Sequence, residues 1–156
     1  MVEKEQGPVC TMKIIADTNI IISALISRKG KESDIILNPL YGFEKYSCFF
    51  LRDEILKHKS KILKTSGLKE SEFLDVYFNI TKRIHFIDEE QIPDSLWQKA
   101  FFYTRGIDEN DTPFVALALY LNGYLWTGDK KLIRGITERG FKTVFTTADI
   151  LNQSLR

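Results

Sequence analysis

Four acidic residues stand at places from which a folded chain could gather them: Asp17, Glu54, Asp111 and Asp129. Each lies between a strand-like apolar run and a helix-like one, or at the mouth of an apolar helix. The densest stretch is 108–119, where Asp108, Glu109 and Asp111 abut Thr112-Pro113 and an apolar run from Phe114 to Leu119. Taken singly, an acid at a helix start caps free amides and meets the positive end of the dipole, contributing roughly 0.5–2 kcal/mol. Taken as a set on one small rim, the four repel and raise one another's pKa values. Such a cluster recruits a hard divalent cation with oxygen ligands. Mg²⁺ or Mn²⁺ suits it, and no nearby His or Cys favours zinc. Cations held this way serve phosphodiester chemistry: they activate water, polarise a phosphoryl oxygen and stabilise the leaving oxygen, most effectively as a pair about 4 Å apart.

The elements that must position these acids are written in the hydrophobic pattern. Strands are expected at 12–16, 46–51, 83–87, 124–127 and 142–146. Between them fall helices at 20–26, at 54–67 (opened by Arg52-Asp53-Glu54), at about 70–82 and at 93–103. Thr112-Pro113 reads as the start of a buried helix, with Thr112 as cap and held out of the helical region by the proline. Gly128-Asp129 leads a further helix closed by Gly140, and a short tail helix ends the chain. The region around Gly30 and Pro39 reads as looser. Strands alternating with helices imply an α/β fold, a three-layer α/β/α sandwich around a central, mainly parallel sheet of about five strands. Right-handed crossovers place every strand-to-helix loop at the carboxyl edge of that sheet, so the four acids converge there.

Asp17-Thr18-Asn19 after the first strand, Glu54 after the second, Asp111 in D-x-x-x-x-A-L-A, and Thr127-Gly128-Asp129 after the fourth together resemble the PIN domain. The likeness runs over about residues 12–151. It implies a small Mg²⁺-dependent ribonuclease, with many members acting as toxins of toxin–antitoxin pairs. Carried onto this chain, it implies that Asp17, Glu54, Asp111 and Asp129 hold the metal, here Mg²⁺ or Mn²⁺. Asn19 and Thr127 are implied as polar supports, and Asp108 as a further acid at the mouth. Asp53 takes the place of Glu54 if the helix starts one residue off. The expected reaction is hydrolysis of RNA by in-line attack of an activated water. A small antitoxin with Arg or Lys directed at the carboxylates, and a homodimer, are the partners the resemblance implies.

Beside these acids stand basic runs: Lys57, Lys59, Lys61 and Lys64 after Glu54, and Lys130, Lys131 and Arg134 after Asp129. A lysine run is usually a solvated face, but Lys130 and Lys57 are placed to hold RNA phosphates. His58 and His85 are expected in ordinary structural roles, and Trp97, Phe101 and Phe102 in core or interface. The net charge of +1 exerts no overall pull toward nucleic acid or membrane, so local patches must carry any such binding. Cys10 and Cys48 lack metal-ligand spacing and read as reduced thiols. Residues 1–11 read as a loose lead and 12–156 as one domain. No signal core or membrane-length run occurs, which points to the cytoplasm.

Two rivals remain at this level. A receiver-like signalling domain would use Asp88 after the third strand, but it needs paired acids where Asp17 stands alone and a lysine where Phe145-Thr146-Thr147-Ala148 has none. A PIN-like module that binds RNA or protein without turnover is opposed by the intact acid set.

Overall fold

The computed structural model describes residues 11–154, so Cys10 and all but Thr11 of the lead lie outside the described residues. Its strands are β1 (Lys13–Ala16), β2 (Glu44–Cys48), β3 (His85–Ile87), β4 (Tyr124–Trp126) and β5 (Val144–Phe145). They form one sheet in the order β3-β2-β1-β4-β5, each neighbouring pair parallel. The helices are α1 (Thr18–Ile26), α2 (Lys31–Leu37), α3 (Phe50–Lys57), α4 (Lys59–Ser66), α5 (Glu70–Thr81), α6 (Asp94–Thr104), α7 (Thr112–Leu121), α8 (Lys130–Glu138) and α9 (Thr147–Ser154). α1 packs with α2, α4 and α5; α6 packs with α7 and α8. This is the three-layer sandwich. Ile14 and Ile15 of β1, Leu125 and Trp126 of β4, and Phe114 to Ala118 of α7 are all buried at its centre, as a strand covered on both faces requires. No helix among the described residues is long and apolar enough to cross a membrane.

Four local expectations are overturned. The second strand ends at Cys48, and α3 begins at Phe50 instead of Arg52. The cause is remote: the Glu89 carboxylate accepts the amides of Phe49 and Phe50 at 3.0 and 2.9 Å, satisfying the free N–H groups of the helix start. The single helix over 54–67 is two, broken at His58, whose N–H is shared between the Glu54 and Ile55 carbonyls. The apolar stripe of Leu51 and Ile55 is interrupted there by His58 and Lys59 and resumes only at buried Ile62. The looser region contains α2, fixed by burial of Ile35 and Ile36 and by the Ser33 hydroxyl, which bonds the carbonyls of Ala24 and Ser27 at 2.8 and 3.0 Å. Lastly, Thr112 is helical (φ −52°, ψ −44°) and is not the N-cap of α7, which opens at Asp111 without a side-chain cap. A 3₁₀ turn, Glu109–Asp111, runs straight into α7, and the Thr112 hydroxyl donates back to the Glu109 carbonyl at 2.7 Å.

Candidate metal centre

From β1 the chain steps outward to β2 and β3, then returns through α6 and α7 to lay β4 on the other side of β1. The order reverses between β1 and β4, and the crevice outside the carboxyl ends at such a reversal is where open α/β sheets bind ligands. Asp17 follows β1 there, and its N–H donates to the Trp126 carbonyl of β4 at 3.2 Å. Asp17 Oδ1 caps α1 by accepting the Ile20 amide at 3.0 Å. The side chain is 1% exposed, and its Oδ2 has no hydrogen-bond partner. Across the crevice, Asp129 caps α8 through the Leu132 amide at 3.1 Å. The buried Thr127 hydroxyl accepts the Asp129 N–H at 3.2 Å and so fixes the turn between β4 and α8.

The third wall is the segment between α6 and α7. Asp108 Oδ1 accepts the Asn110 amide at 3.1 Å, which tightens the turn that delivers Asp111 to the mouth of α7. Carboxylate oxygens of Asp108, Asp111 and Asp129 lie within 4.8 Å of one another. Burial pushes the Asp111 carboxyl up to about 8, reinforced by the charges of Asp17, Asp108 and Asp129. Burial likewise pushes Asp17 up to about 6; the neighbouring Thr127 hydroxyl and the Ile20 amide pull it back, and the Asp129 charge adds to the rise. A set of oxygen donors that resists its own ionisation is what a divalent cation relieves, and a buried carboxylate oxygen without a partner fits a ligand to it.

This wall is held from behind. Arg139, just after α8, donates from one Nη1 to the carbonyls of Phe102, Tyr103 and Arg105 at 3.2, 3.0 and 2.6 Å, closing the end of α6. Thr104 and Thr112 join their hydroxyls at 2.7 Å across the loop. Gly135 leaves room for Ile107 to lie on α8, where a Cβ would stand 2.2 Å from Ile107 Cδ1. Sequence reading missed Arg139 and Glu89, because their partners lie more than thirty positions away. Gly135 carried only a weak signal, since a glycine inside a helical pattern costs about 1 kcal/mol against alanine.

A family model described as PIN domain matches residues 15–150. The chain belongs to the PIN-domain family. Solved structures share its fold, among them two VapBC structures. VapBC2 from Rickettsia felis, bound to a DNA fragment from their promoter, matches with a TM-score of 0.64 at 16% identity, covering 86% of this chain and 98% of that one. VapBC-1 from nontypeable Haemophilus influenzae matches with a TM-score of 0.62 at 20% identity, covering 88% and 99%. At these identities the likeness is one of fold. No curated protein sequence matches the chain significantly.

The PIN assignment removes the receiver-like alternative. Asp88 follows the edge strand β3 and is spent as a cap on the Glu90 amide at 3.0 Å. A receiver also has a different strand order, with the first strand between the second and third.

The remaining expected residues fall as follows in this PIN domain. Glu54 lies on α3 with its side chain 17% exposed and its Oε2 3.7 Å from His58 Nε2; Asp53 beside it is exposed. The charges that raise Asp17 and Asp111 are those of Asp129, Asp108 and Asp17. Asp17, Asp111 and Asp129 meet with Asp108, and Glu54 stands on α3 beside His58. Asn19 acts on Asp17 through its backbone amide, while its side chain is exposed. Lys130 and Lys57 are exposed next to Asp129 and on the Glu54 helix. Phe101 and Phe102 are each 47% exposed on α6, so neither is core. Burial pushes the Cys48 thiol up to about 12, with Glu89 adding to it, and leaves it inert.

Proposed function

We propose that this PIN-domain protein is a Mg²⁺- or Mn²⁺-dependent endoribonuclease of the cytoplasm, and the toxin of a toxin–antitoxin pair. The observation that carries the proposal is the meeting of Asp17, Asp108, Asp111 and Asp129 at the β1/β4 switch point, with one Asp17 oxygen buried and unpartnered. Asp17, Asp111 and Asp129 would hold the cation, with Asp108 adding charge at the mouth and Glu54 entering from α3. When bound, the cation supplies Lewis acidity for the hydrolysis of a phosphodiester. The chain's own residues do the rest. Thr127 holds the Asp129 turn, the Asn19 amide supports the ionised form of Asp17, and Asp111 can retain or release a proton near neutral pH. Lys130, first residue of α8, and Lys57 on α3 would take phosphates of the RNA strand on either side.

The pairing with an antitoxin is supported by the family resemblance, by the likeness to VapBC complexes and by the acidic crevice, which suits Arg or Lys from a partner. The same resemblance supports a homodimer. Cleavage of mixed RNAs in Mg²⁺, Mn²⁺ or EDTA tests the nuclease reading. Wild type should cleave only with the cation, and Asp17→Asn or Asp111→Asn should lose activity with the fold intact. Full activity in either variant at limiting Mg²⁺ overturns the metal-site assignment.

A further inference from the structure

Beside β3, the outermost strand on its side of the sheet, lies an open cavity of about 720 Å³. Aromatic rings and cations make its walls: Phe49 after β2, Arg52 on α3, Phe78 and Lys82 at the end of α5, and Phe86 on β3. Among the described residues no carboxylate lines it, although acidic and basic residues are almost balanced in the chain, 21 against 22. The two outer rings stand open, Phe78 at 65% exposure and Phe49 at 41%. The cations are already seated on rings. The Arg52 guanidinium lies 4.3 Å from the centroid of Phe86 and 5.3 Å from that of Phe49, and Lys82 Nζ lies 5.8 Å from that of Phe78. A cation stacked on a ring has lost part of its rotamer freedom before any ligand arrives, which lowers the entropic cost of binding.

Open ring faces interleaved with fixed positive charge are what an unpaired nucleotide strand requires. Bases stack on rings without regard to sequence, while phosphates meet the cations. A duplex offers no free base faces. An apolar protein segment would bury Arg52 and Lys82 without a counter-charge, at a desolvation cost with no return. We infer that this groove binds single-stranded nucleic acid, and that it extends the RNA contact beyond the acidic crevice. The inference rests on the ribonuclease reading only for the identity of the strand. Phe49 and Arg52 follow the carboxyl end of β2, on the sheet edge that carries the aspartates, so a strand seated in the groove is delivered toward that edge.

The test uses the full chain in EDTA, where binding is read without turnover. The probe is an RNA strand of about 12 nucleotides, within the span such grooves cover, carrying 2-aminopurine, with a duplex and a DNA strand of the same sequence as further arms. Wild type should bind the single strand and quench the 2-aminopurine, and bind the duplex far more weakly. Phe78→Ala and Arg52→Gln should each weaken binding about tenfold and remove the quench, with melting temperatures unchanged. Equal binding of the DNA strand supports the groove, which reads base faces and phosphates. Wild-type affinity in both variants overturns it. So does equal affinity for duplex, or a shift from dimer to monomer in Phe78→Ala with RNA affinity unchanged, which would make the face a contact between copies of the chain. Cleavage that persists while both groove variants bind normally sinks the groove alone. Groove-dependent binding without cleavage in Mg²⁺ or Mn²⁺ sinks the ribonuclease reading alone.

Discussion

A carboxylate at 1% exposure with one oxygen unpartnered is costly to ionise, and Asp17 is such a group. Its pKa and that of Asp111 give the direction of a pH dependence. In the unfolded chain both ionise near 3.8, whereas in the metal-free fold Asp17 keeps its proton to about 6 and Asp111 to about 8. Folding then takes up protons between those limits. The stability contributed is full below about pH 4 and is lost as pH rises through about 6 and then about 8. In EDTA the protein should gain stability on acidification from about pH 8 to about pH 5, through these two groups. Asp17→Asn, which can still accept the Ile20 amide, should remove its share of that slope and melt higher than wild type near neutral pH by an amount on the order of 1 kcal/mol. Mg²⁺ should narrow or reverse the gap, because it stabilises the wild-type native state by mass action. Thermal melts across pH, in EDTA and over a Mg²⁺ series, read all of this. Variants at Asp17 and Asp129 that melt lower in EDTA, with no protein responding to Mg²⁺, would mean that these acids are helix caps and nothing more.

Between elements, the site depends on a clamp that contains no acid. The guanidinium of Arg139 gathers three carbonyls at the end of α6 and so fixes where the 105–111 segment begins. Its removal leaves those carbonyls without a charged donor, so Arg139→Ala should cost about 1–3 kcal/mol. The loosened segment should also hold Asp108 and Asp111 less well, so the melting shift produced by Mg²⁺ should shrink. Gly123→Ala separates the two effects. A Cβ there would lie 2.8 Å from the Lys13 carbonyl oxygen and 2.7 Å from Ile15 Cδ1, at the start of β4 and away from the carboxyl edge. That variant should lose a similar stability, about 1–3 kcal/mol, while keeping the full Mg²⁺ shift. Equal Mg²⁺ shifts in wild type and Arg139→Ala would show that the clamp serves stability alone.

Over the whole molecule, a near-neutral sum conceals segregation. Negative charge collects at the switch point, and positive charge with open rings collects beside β3. Under the proposed pairing, the acidic crevice of this PIN domain should attract a small protein that presents Arg or Lys. Purification from the native host at low salt should recover such a partner, and raised salt should weaken the complex, since exposed charges separated by more than about 8–10 Å are screened at physiological ionic strength. Recovery of a lone monomer under both conditions would count strongly against the pairing.

What the sequence determined by itself is whatever near neighbours along the chain decide. Asp17-Thr18-Asn19 ends a β-branched run and opens an apolar one, Thr127-Gly128-Asp129 stands between an apolar strand and an amphipathic helix, and both turns lead from strand to helix as read, with each aspartate capping the helix after it. The alternation of strands and helices, the parallel sheet and the convergence of Asp17, Asp111 and Asp129 on its carboxyl edge follow from such local signals and the handedness of crossovers. The tertiary structure alone decided whatever rests on contacts remote in sequence. Glu89 starts α3 from 39 and 40 positions away, Arg139 closes α6 from 34 to 37 away, and α2 forms because Ile35 and Ile36 find a buried place. Propensity and pattern act over a turn or a strand, so they cannot report a hydrogen bond whose partner arrives only when the layers pack. For the same reason the break at His58, and with it the place of Glu54 beside that imidazole, was not legible in the Lys-rich run around it.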